Sequence, residues 1–200
     1  NGMLDEALRS IWAQTRLPDA VHIALDTQGD GAPATRQRAL DAASTDWVAF
    51  LDSDDLYMPN HLAALLEHAQ QTGADLVYSW FRLLEQRSDG RRVDHGEHDP
   101  IFPPTHFSNP FDPAEPIETT ITVLVRRELA QQVGMRRLDR GQINTGEDRA
   151  LTLDCLAAGA NIQHLVQRTW WWRHHWLEPD KMGNTSGIVG RGDSQAPTQL

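Results

Sequence analysis

The sequence has little sulfur and little positive charge. Its 200 residues contain a single cysteine, Cys155. This excludes an intramolecular disulfide and therefore the class of small proteins whose fold is held together by disulfides. Lysine and arginine number 18 against 28 aspartates and glutamates, for a formal net charge of −10. Because nucleic acids and anionic membranes bind clustered cations, this balance argues against either as a partner.

Long apolar runs are missing as well. No stretch approaches the roughly 20 residues that a membrane helix needs, and no signal peptide opens the sequence. We therefore expect no integral membrane segment. A single cysteine is typical of a reducing compartment, so the expected location is cytoplasmic, with peripheral attachment to a membrane left open.

The remaining composition is that of a globular chain, with 40% apolar and 23% charged residues and enough length for one domain. Helical and strand periodicities alternate over the first 85 residues. This alternation predicts an α/β fold with a mostly parallel sheet flanked by helices. The predicted helices cover residues 3–12, 33–43 and 60–72, and the predicted strands cover residues 21–25, 47–51 and 75–84.

The second half of the sequence is less regular. Residues 94–117 contain six prolines and few aliphatic side chains, a pattern that predicts a long surface loop. Further strands are predicted at 121–125 and 161–166, and further helices at 127–133 and after Gly146. The Gly-, Ser-, Gln- and Pro-containing tail at 187–200 has little to bury, so we expect it to be disordered.

Three carboxylates follow the apolar strand at 47–51, in the segment Asp52-Ser53-Asp54-Asp55. Ligands bind at the carboxyl ends of strands in open α/β sheets, and carboxylate oxygens suit Mg²⁺ or Mn²⁺. The alternative is an Asp-rich turn that supplies one cap to the next helix. A cap needs one aspartate, so three favour a ligand site.

Two further groups of residues are candidates for function. Glu147 and Asp148 stand at a predicted helix start, where acidic side chains also interact favourably with the helix dipole. The segment at 170–176 holds four tryptophans together with His174 and His175. Its rings are candidates for sugar binding and its histidines for metal binding, although solvated histidines at a strand edge are an equal alternative.

In this order, these segments resemble the inverting family 2 glycosyltransferases, which have a GT-A, Rossmann-like fold. The resemblance runs from about residue 3 to residue 186 and is strongest in the Asp-x-Asp segment, in the Glu-Asp pair and in the aromatic-Arg-x-His segment. It also rests on shorter matches: residues 4–15 at the first helix, Gly31 with residues 34–40, Val133-Gly134, and Gly159.

The resemblance implies one glycosyltransferase domain at 1–186, with a nucleotide-sugar and metal half at 1–93 and an acceptor and base half at 118–186. The partners that it implies are a nucleotide-sugar donor and a carbohydrate or other hydroxyl acceptor. The implied cofactor is Mn²⁺ or Mg²⁺. The loop at 94–117 and the tryptophan segment become candidates for the acceptor cleft.

The resemblance also implies roles for individual residues. The metal ligands would be Asp54, Asp52 and His175, with Asp55 and His174 in reserve. The donor would contact Asp26, Asp52 and Arg36. Asp148 would be the catalytic base, and Glu147 would orient the acceptor or the helix start.

The sequence departs from the family pattern in its first part. The strand that precedes the first helix in the family is missing, and the usual paired aspartates are reduced to Asp26 followed by Thr27. We expect such a strand to be encoded before Asn1, because a sheet without it would expose an unpaired edge.

Two other functions are consistent with parts of the sequence. A Mg²⁺-dependent phosphohydrolase would use Asp52 as nucleophile, but such enzymes need a downstream lysine and the chain has only Lys181. A non-catalytic relic of the glycosyltransferase fold would bind carbohydrate through its tryptophans. The missing strand favours the relic, whereas the intact Asp52, Asp54 and Asp148 oppose it.

Overall fold

The structure is a computed structural model, and it describes residues 2–87, 89–98, 102–116, 121–137 and 146–175. Within these ranges the chain forms six helices and six strands. The helices are α1 (Gly2–Trp12), α2 (Ala32–Ala42), α3 (His61–Thr72), α4 (Pro104–Ser108), α5 (Arg127–Val133) and α6 (Glu147–Ala157). The strands are β1 (Trp47–Ala49), β2 (Leu56–Tyr57), β3 (Leu76–Gln86), β4 (Arg92–Asp94), β5 (Val123–Arg126) and β6 (Ile162–His175).

The strands form one mixed sheet in the order β1-β5-β3-β6-β2, with β4 paired to β3. Strands β1, β3 and β6 run in the same direction, as the alternation of helices and strands predicts. However, β5 lies antiparallel between β1 and β3, and β2 and β4 are also antiparallel to their partners. The α/β class is therefore confirmed, with a mixed sheet in place of a mostly parallel one.

Apolar side chains cover both faces of β3, which explains its nearly continuous hydrophobic sequence. Leu76 and Tyr78 pack in a cluster that includes Ala130 of α5 and Leu151 of α6. Val77 points to the opposite face and packs in a second cluster, with Leu65 and Ala69 of α3. The sheet is thus flanked by helices on both sides.

The predicted strand at 21–25 does not form. These residues belong to no strand of the described chain, and Ile23 and Leu25 are 56% and 61% exposed. A strand needs a neighbour for its backbone groups, and β1 pairs only with β5 among the described strands. Residues 16–26, α1, α2 and β1 line a cleft of about 750 Å³, and none of the described strands pairs with residues 21–25.

The second half differs from prediction in two places. The described part of the proline-rich loop contains the short helix α4, and β6, the last of the described strands, continues to His175 instead of ending at residue 166. Because β6 extends, it carries Trp170, Trp171 and Trp172 into the sheet beside β3, whereas Trp176 lies outside the described residues. The predicted disordered tail lies outside the described residues.

The longest helix of the described chain is α3 with 12 residues, and none of the helices in these ranges is long and apolar enough to cross a bilayer.

Candidate functional site

The turn at 52–55, which we call the acidic turn, follows β1 at its carboxyl end, as predicted. Its three carboxylates differ in environment. The side chain of Asp52 is 41% exposed, Asp54 is half-buried, and Asp55 is 5% exposed. These differences in burial give the three side chains different roles.

Asp55 has a structural role. Its Oδ1 accepts a hydrogen bond of 2.8 Å from the backbone N–H of Arg173 in β6. Burial raises the pKa of Asp55 well above its ordinary value, and the nearby carboxylates of Asp52 and Asp54 add to the rise. Because Asp55 is buried and one of its oxygens already bonds β6, it connects the acidic turn to the sheet, and its reserve role as a metal ligand stays a prediction.

Asp52 is held by Arg36 of α2. The Arg36 Nη2 lies 2.7 Å from Oδ1 and 2.9 Å from Oδ2 of Asp52. Although burial opposes the charged form, Asp52 and Asp148 raise the pKa of Arg36 above its ordinary value. The guanidinium therefore remains a cation at this position and neutralises Asp52.

The same arginine reaches the start of α6. Its Nη1 donates a hydrogen bond of 2.9 Å to Oε1 of Glu147 and lies 3.9 Å from Oδ1 of Asp148. Gly146, with φ 97°, precedes the helix in a left-handed conformation that glycine adopts without strain. The two acidic groups predicted from sequence thus meet at one cation.

Asp148 keeps 29% of its side chain exposed, but its Oδ1 is buried and accepts no hydrogen bond within the described chain. Burial raises the pKa of Asp148 to about 7, and the charge of Arg36 opposes that rise. The carboxylates of Glu147 and Asp52 raise the pKa further, whereas the backbone N–H of Ile121 lowers it. A carboxyl with this pKa can take up or release a proton near neutral pH.

The three residues predicted to bind the donor all line the same cleft: Asp26, Arg36 and Asp52. Asp26 accepts hydrogen bonds of 2.9 Å from the backbone N–H groups of Asp30 and Gly31. Those bonds lower the pKa of Asp26 and fix the loop before α2. Most of the other lining residues are apolar, and many of them belong to the segment at 16–25, to α1, to α2 and to β1.

The residues around the acidic turn fit a divalent cation only in part. The described residues hold no group of three or more His, Cys, Asp or Glu side chains arranged to bind a metal. The structure describes the backbone of His175, a predicted metal ligand, but not its side chain. Mg²⁺ is commonly held by one or two carboxylates together with substrate phosphates. Half-buried Asp54, at the carboxyl end of β1, fits that type of site.

The tryptophan segment is divided between core and surface. Trp170 is 1% exposed and packs with Phe81, so it belongs to the core. Trp171 and Trp172 are half-buried. Phe102, from the proline-rich loop, packs against the same cluster as Trp172. The loop and the tryptophans do meet, but Trp170 is unavailable to a ligand.

Sequence reasoning placed Arg36 at the donor and missed its contacts with the start of α6. No local signal distinguishes it from Arg38, two residues later. In the structure, Arg38 forms an exposed ion pair with Asp30, whereas the side chain of Arg36 is 13% exposed. Only the packing of α2 decides which arginine enters the site.

Comparison with known proteins identifies relatives of this chain. A family model described as glycosyl transferase family 2 matches residues 3–134. The putative teichuronic acid biosynthesis glycosyltransferase TuaG of Bacillus subtilis (strain 168) is 29% identical over 146 residues, which are 72% of this chain and 53% of TuaG.

Solved structures give the same fold. The crystal structure of S. aureus TarS 1-349 matches with a TM-score of 0.61 and 18% identity, over 86% of this chain and 56% of TarS. Its complex with UDP-GlcNAc matches with a TM-score of 0.62 and 17% identity, over 88% of this chain and 56% of that one. The chain spans about half the length of these relatives. Its α/β fold is the GT-A fold, and the chain belongs to glycosyl transferase family 2.

Proposed function

We propose that this chain carries the site of a metal-dependent, inverting glycosyltransferase that moves a hexosyl group from a nucleoside diphosphate to an acceptor hydroxyl. The observation that carries the proposal is the convergence of Asp52 and Asp148 on Arg36. One carboxylate belongs to the cleft and the other to the start of α6. Such an enzyme must bind the donor and remove a proton. Asp52, the candidate for donor binding, and Asp148, the candidate for proton removal, thus lie beside each other.

Asp148 is the proposed base. An acceptor hydroxyl is a poor nucleophile at neutral pH, so a carboxylate must take its proton as the oxygen attacks the anomeric carbon. General-base assistance of this kind contributes about 10²–10⁴ in rate and works best when the pKa is near the working pH. The pKa of Asp148, raised to about 7, meets that condition. Attack opposite the leaving diphosphate inverts the anomeric centre.

Glu147 has the supporting role in this mechanism. It shares Arg36 with Asp52 through the bond to Nη1, which fixes its carboxylate beside Asp148. Glu147 then holds the helix start, and with it the base, in place while the acceptor binds.

The donor is proposed to bind in the cleft at Asp26, Arg36 and Asp52. TarS has been crystallised in complex with UDP and with UDP-GlcNAc, which supports a uridine diphosphate sugar as the first donor to test. The name of TuaG refers to teichuronic acid biosynthesis, which supports a carbohydrate acceptor. The expected cytoplasmic location remains part of this proposal.

Asp54 is proposed to hold the divalent cation, together with phosphate oxygens of the donor. When bound, Mn²⁺ or Mg²⁺ acts as a Lewis acid that stabilises the negative charge on the departing diphosphate. Because Arg36 already neutralises Asp52, this carboxylate is better suited to orient the donor. Its role as a second ligand, like that of His175, stays a prediction.

The test combines binding with turnover. The full chain is melted with Mn²⁺, with UDP, GDP or CDP, and with each pair, and the hydrolysis of UDP-GlcNAc and UDP-glucose is followed. A transferase is expected to be stabilised by Mn²⁺ together with one nucleotide and to hydrolyse the matching sugar slowly. The anomer released first, read by NMR, reports inversion.

Other outcomes would contradict the proposal. Stabilisation by an oligosaccharide without any nucleotide effect would identify the carbohydrate-binding relic. Release of phosphate from a simple phosphomonoester, lost in Asp52→Asn, would identify a phosphohydrolase.

A further inference from the structure

We propose that Arg36, in addition to the donor contact proposed above, is a positioning residue that holds the donor-side carboxylate Asp52 and the helix-start carboxylates Glu147 and Asp148 in a single arrangement. This inference rests on the proposed function. It extends that function by making one cation the link between the two halves of the site.

The contacts of Arg36 use separate parts of its guanidinium. Nη2 bonds both oxygens of Asp52, at 2.7 and 2.9 Å. Nη1 bonds Glu147 at 2.9 Å and lies 3.9 Å from Asp148. A planar guanidinium presents its donors in a fixed fork, so the position of one partner restricts the position of the other.

The linked elements are distant in the chain. Asp52 follows Arg36 by 16 residues and Glu147 follows it by 111. Asp52 lies in the acidic turn after β1, Arg36 is on α2, and Glu147 begins α6. A movement of α6 relative to the acidic turn must therefore break a bond to Arg36.

The negative charge of the surrounding carboxylates makes the Arg36 cation necessary for this arrangement. The groups that act on Asp148 are Arg36, the carboxylates of Glu147 and Asp52, and the backbone N–H of Ile121. Without Arg36, three carboxylates would repel one another at a place where the side chain of each is no more than 41% exposed. We expect such a site to separate or to take up protons.

Arg36 and Arg38 lie on the same helix but differ in burial. Its side chain is 13% exposed, whereas that of Arg38 on the same helix is 42% exposed and pairs with Asp30. Arg38→Gln is therefore a matched control for the link, since it removes an arginine of α2 whose partners lie in residues 25–35 and not in the acidic turn or α6.

The experiment compares Arg36→Gln, Arg36→Lys and Arg38→Gln in the full chain. Amide hydrogen exchange is measured first, because it does not depend on activity. Arg36→Gln is expected to accelerate exchange at least about tenfold at the hydrogen-bonded amides of the two segments, which are Asp55 in the acidic turn and Ala150 in the first turn of α6. Arg38→Gln is expected to change neither segment.

The second measurement is hydrolysis of the UDP-sugar with Mn²⁺, about 15 °C or more below each melting temperature. Arg36→Gln is expected to lower kcat about a hundredfold, the size of effect that a small misplacement produces. The acidic limb of its kcat-against-pH profile is expected to move to higher pH. Arg36→Lys keeps the charge but not the fork, so it should retain the parental pH limb while kcat still falls.

Each outcome is decisive. If Arg36→Gln leaves exchange unchanged in both segments, Arg36 does not link them. If exchange rises while kcat and the pH limb stay parental, the link has no role in positioning the base. If the parent itself hydrolyses no nucleotide sugar, the proposed function fails, and the exchange data alone decide whether Arg36 joins the two elements.

Discussion

The Oδ1 atom of Asp55 accepts a hydrogen bond from the backbone N–H of Arg173, 118 residues later in the chain, at 2.8 Å. The side chain of Arg173 continues inward and pairs with Glu6 of α1 at 2.6 Å. Asp55 therefore joins the acidic turn to β6, on the side of the sheet where α1 packs. Of three neighbouring aspartates, one is a structural residue.

We predict that Asp55→Ala destabilises the chain by about 1–3 kcal/mol, because a buried backbone N–H loses its acceptor. Urea unfolding measures the change. The Mn²⁺-dependent shift with nucleotide should persist in the folded variant. A variant as stable as the parent would show that the bond to Arg173 contributes nothing.

Asp54→Asn is expected to keep the stability of the chain and to lose metal binding, the reverse of Asp55→Ala. The amide keeps the shape of the side chain but loses the charge that holds a cation, so the thermal shift with Mn²⁺ and nucleotide should disappear along with sugar transfer. The fold should be retained. Glu128→Gln, which removes a charge from a side chain that is 89% exposed, is the matched control. Parental affinity for the Mn²⁺-nucleotide pair in Asp54→Asn would remove this residue from the list of ligands.

Asp148→Asn should cut turnover at least about a hundredfold while donor binding stays close to parental, because only proton removal is lost. Donor hydrolysis by water serves as the assay, since water would use the same base. Asp154→Asn is the control on the same helix, where Asp154 pairs with Arg136 near the surface. If Asp148→Asn turned over at the parental rate and only melted lower, its role would be that of a helix-start carboxylate.

The pH dependence follows from the raised pKa of Asp148. The base must be ionised, so kcat/KM should fall about tenfold per pH unit below a pH of about 7. Stability should change in the opposite sense. The folded-state pKa lies above the ordinary 3.8, so the stability from this group is present below pH 3.8 and is lost as the pH rises through about 7. Melting temperature and rate, measured across pH in the parent and in Asp148→Asn, check both signs.

The tryptophans of β6 should separate into two classes. Trp170→Ala is expected to cost about 3–5 kcal/mol, because it leaves a cavity in the core. Trp171→Ala, at a half-buried position, should cost clearly less. Urea unfolding of both variants decides this, and equal losses would contradict the assignment of Trp170 alone to the core.

Local sequence patterns predicted most elements, because periodicity and breakers act over a few residues. Helices α1, α2 and α3 occupy nearly the predicted ranges. The strand at 21–25 failed for a different reason: its apolar pattern is correct for a strand, but pairing depends on a neighbour. The tryptophan segment is a predicted part of the acceptor cleft, but the extension of β6 places Trp170 in the core.

The sequence by itself determined the class of the fold, the position of the acidic turn after β1 and the position of Glu147 and Asp148 at a helix start, since each depends on neighbouring residues. Only the tertiary structure decided that β5 inserts between β1 and β3 and that Asp55 is buried. It also decided that Arg36, rather than Arg38, meets Asp52 and Glu147. These outcomes depend on contacts between residues far apart in the chain, where packing and charge act together and local patterns carry no information.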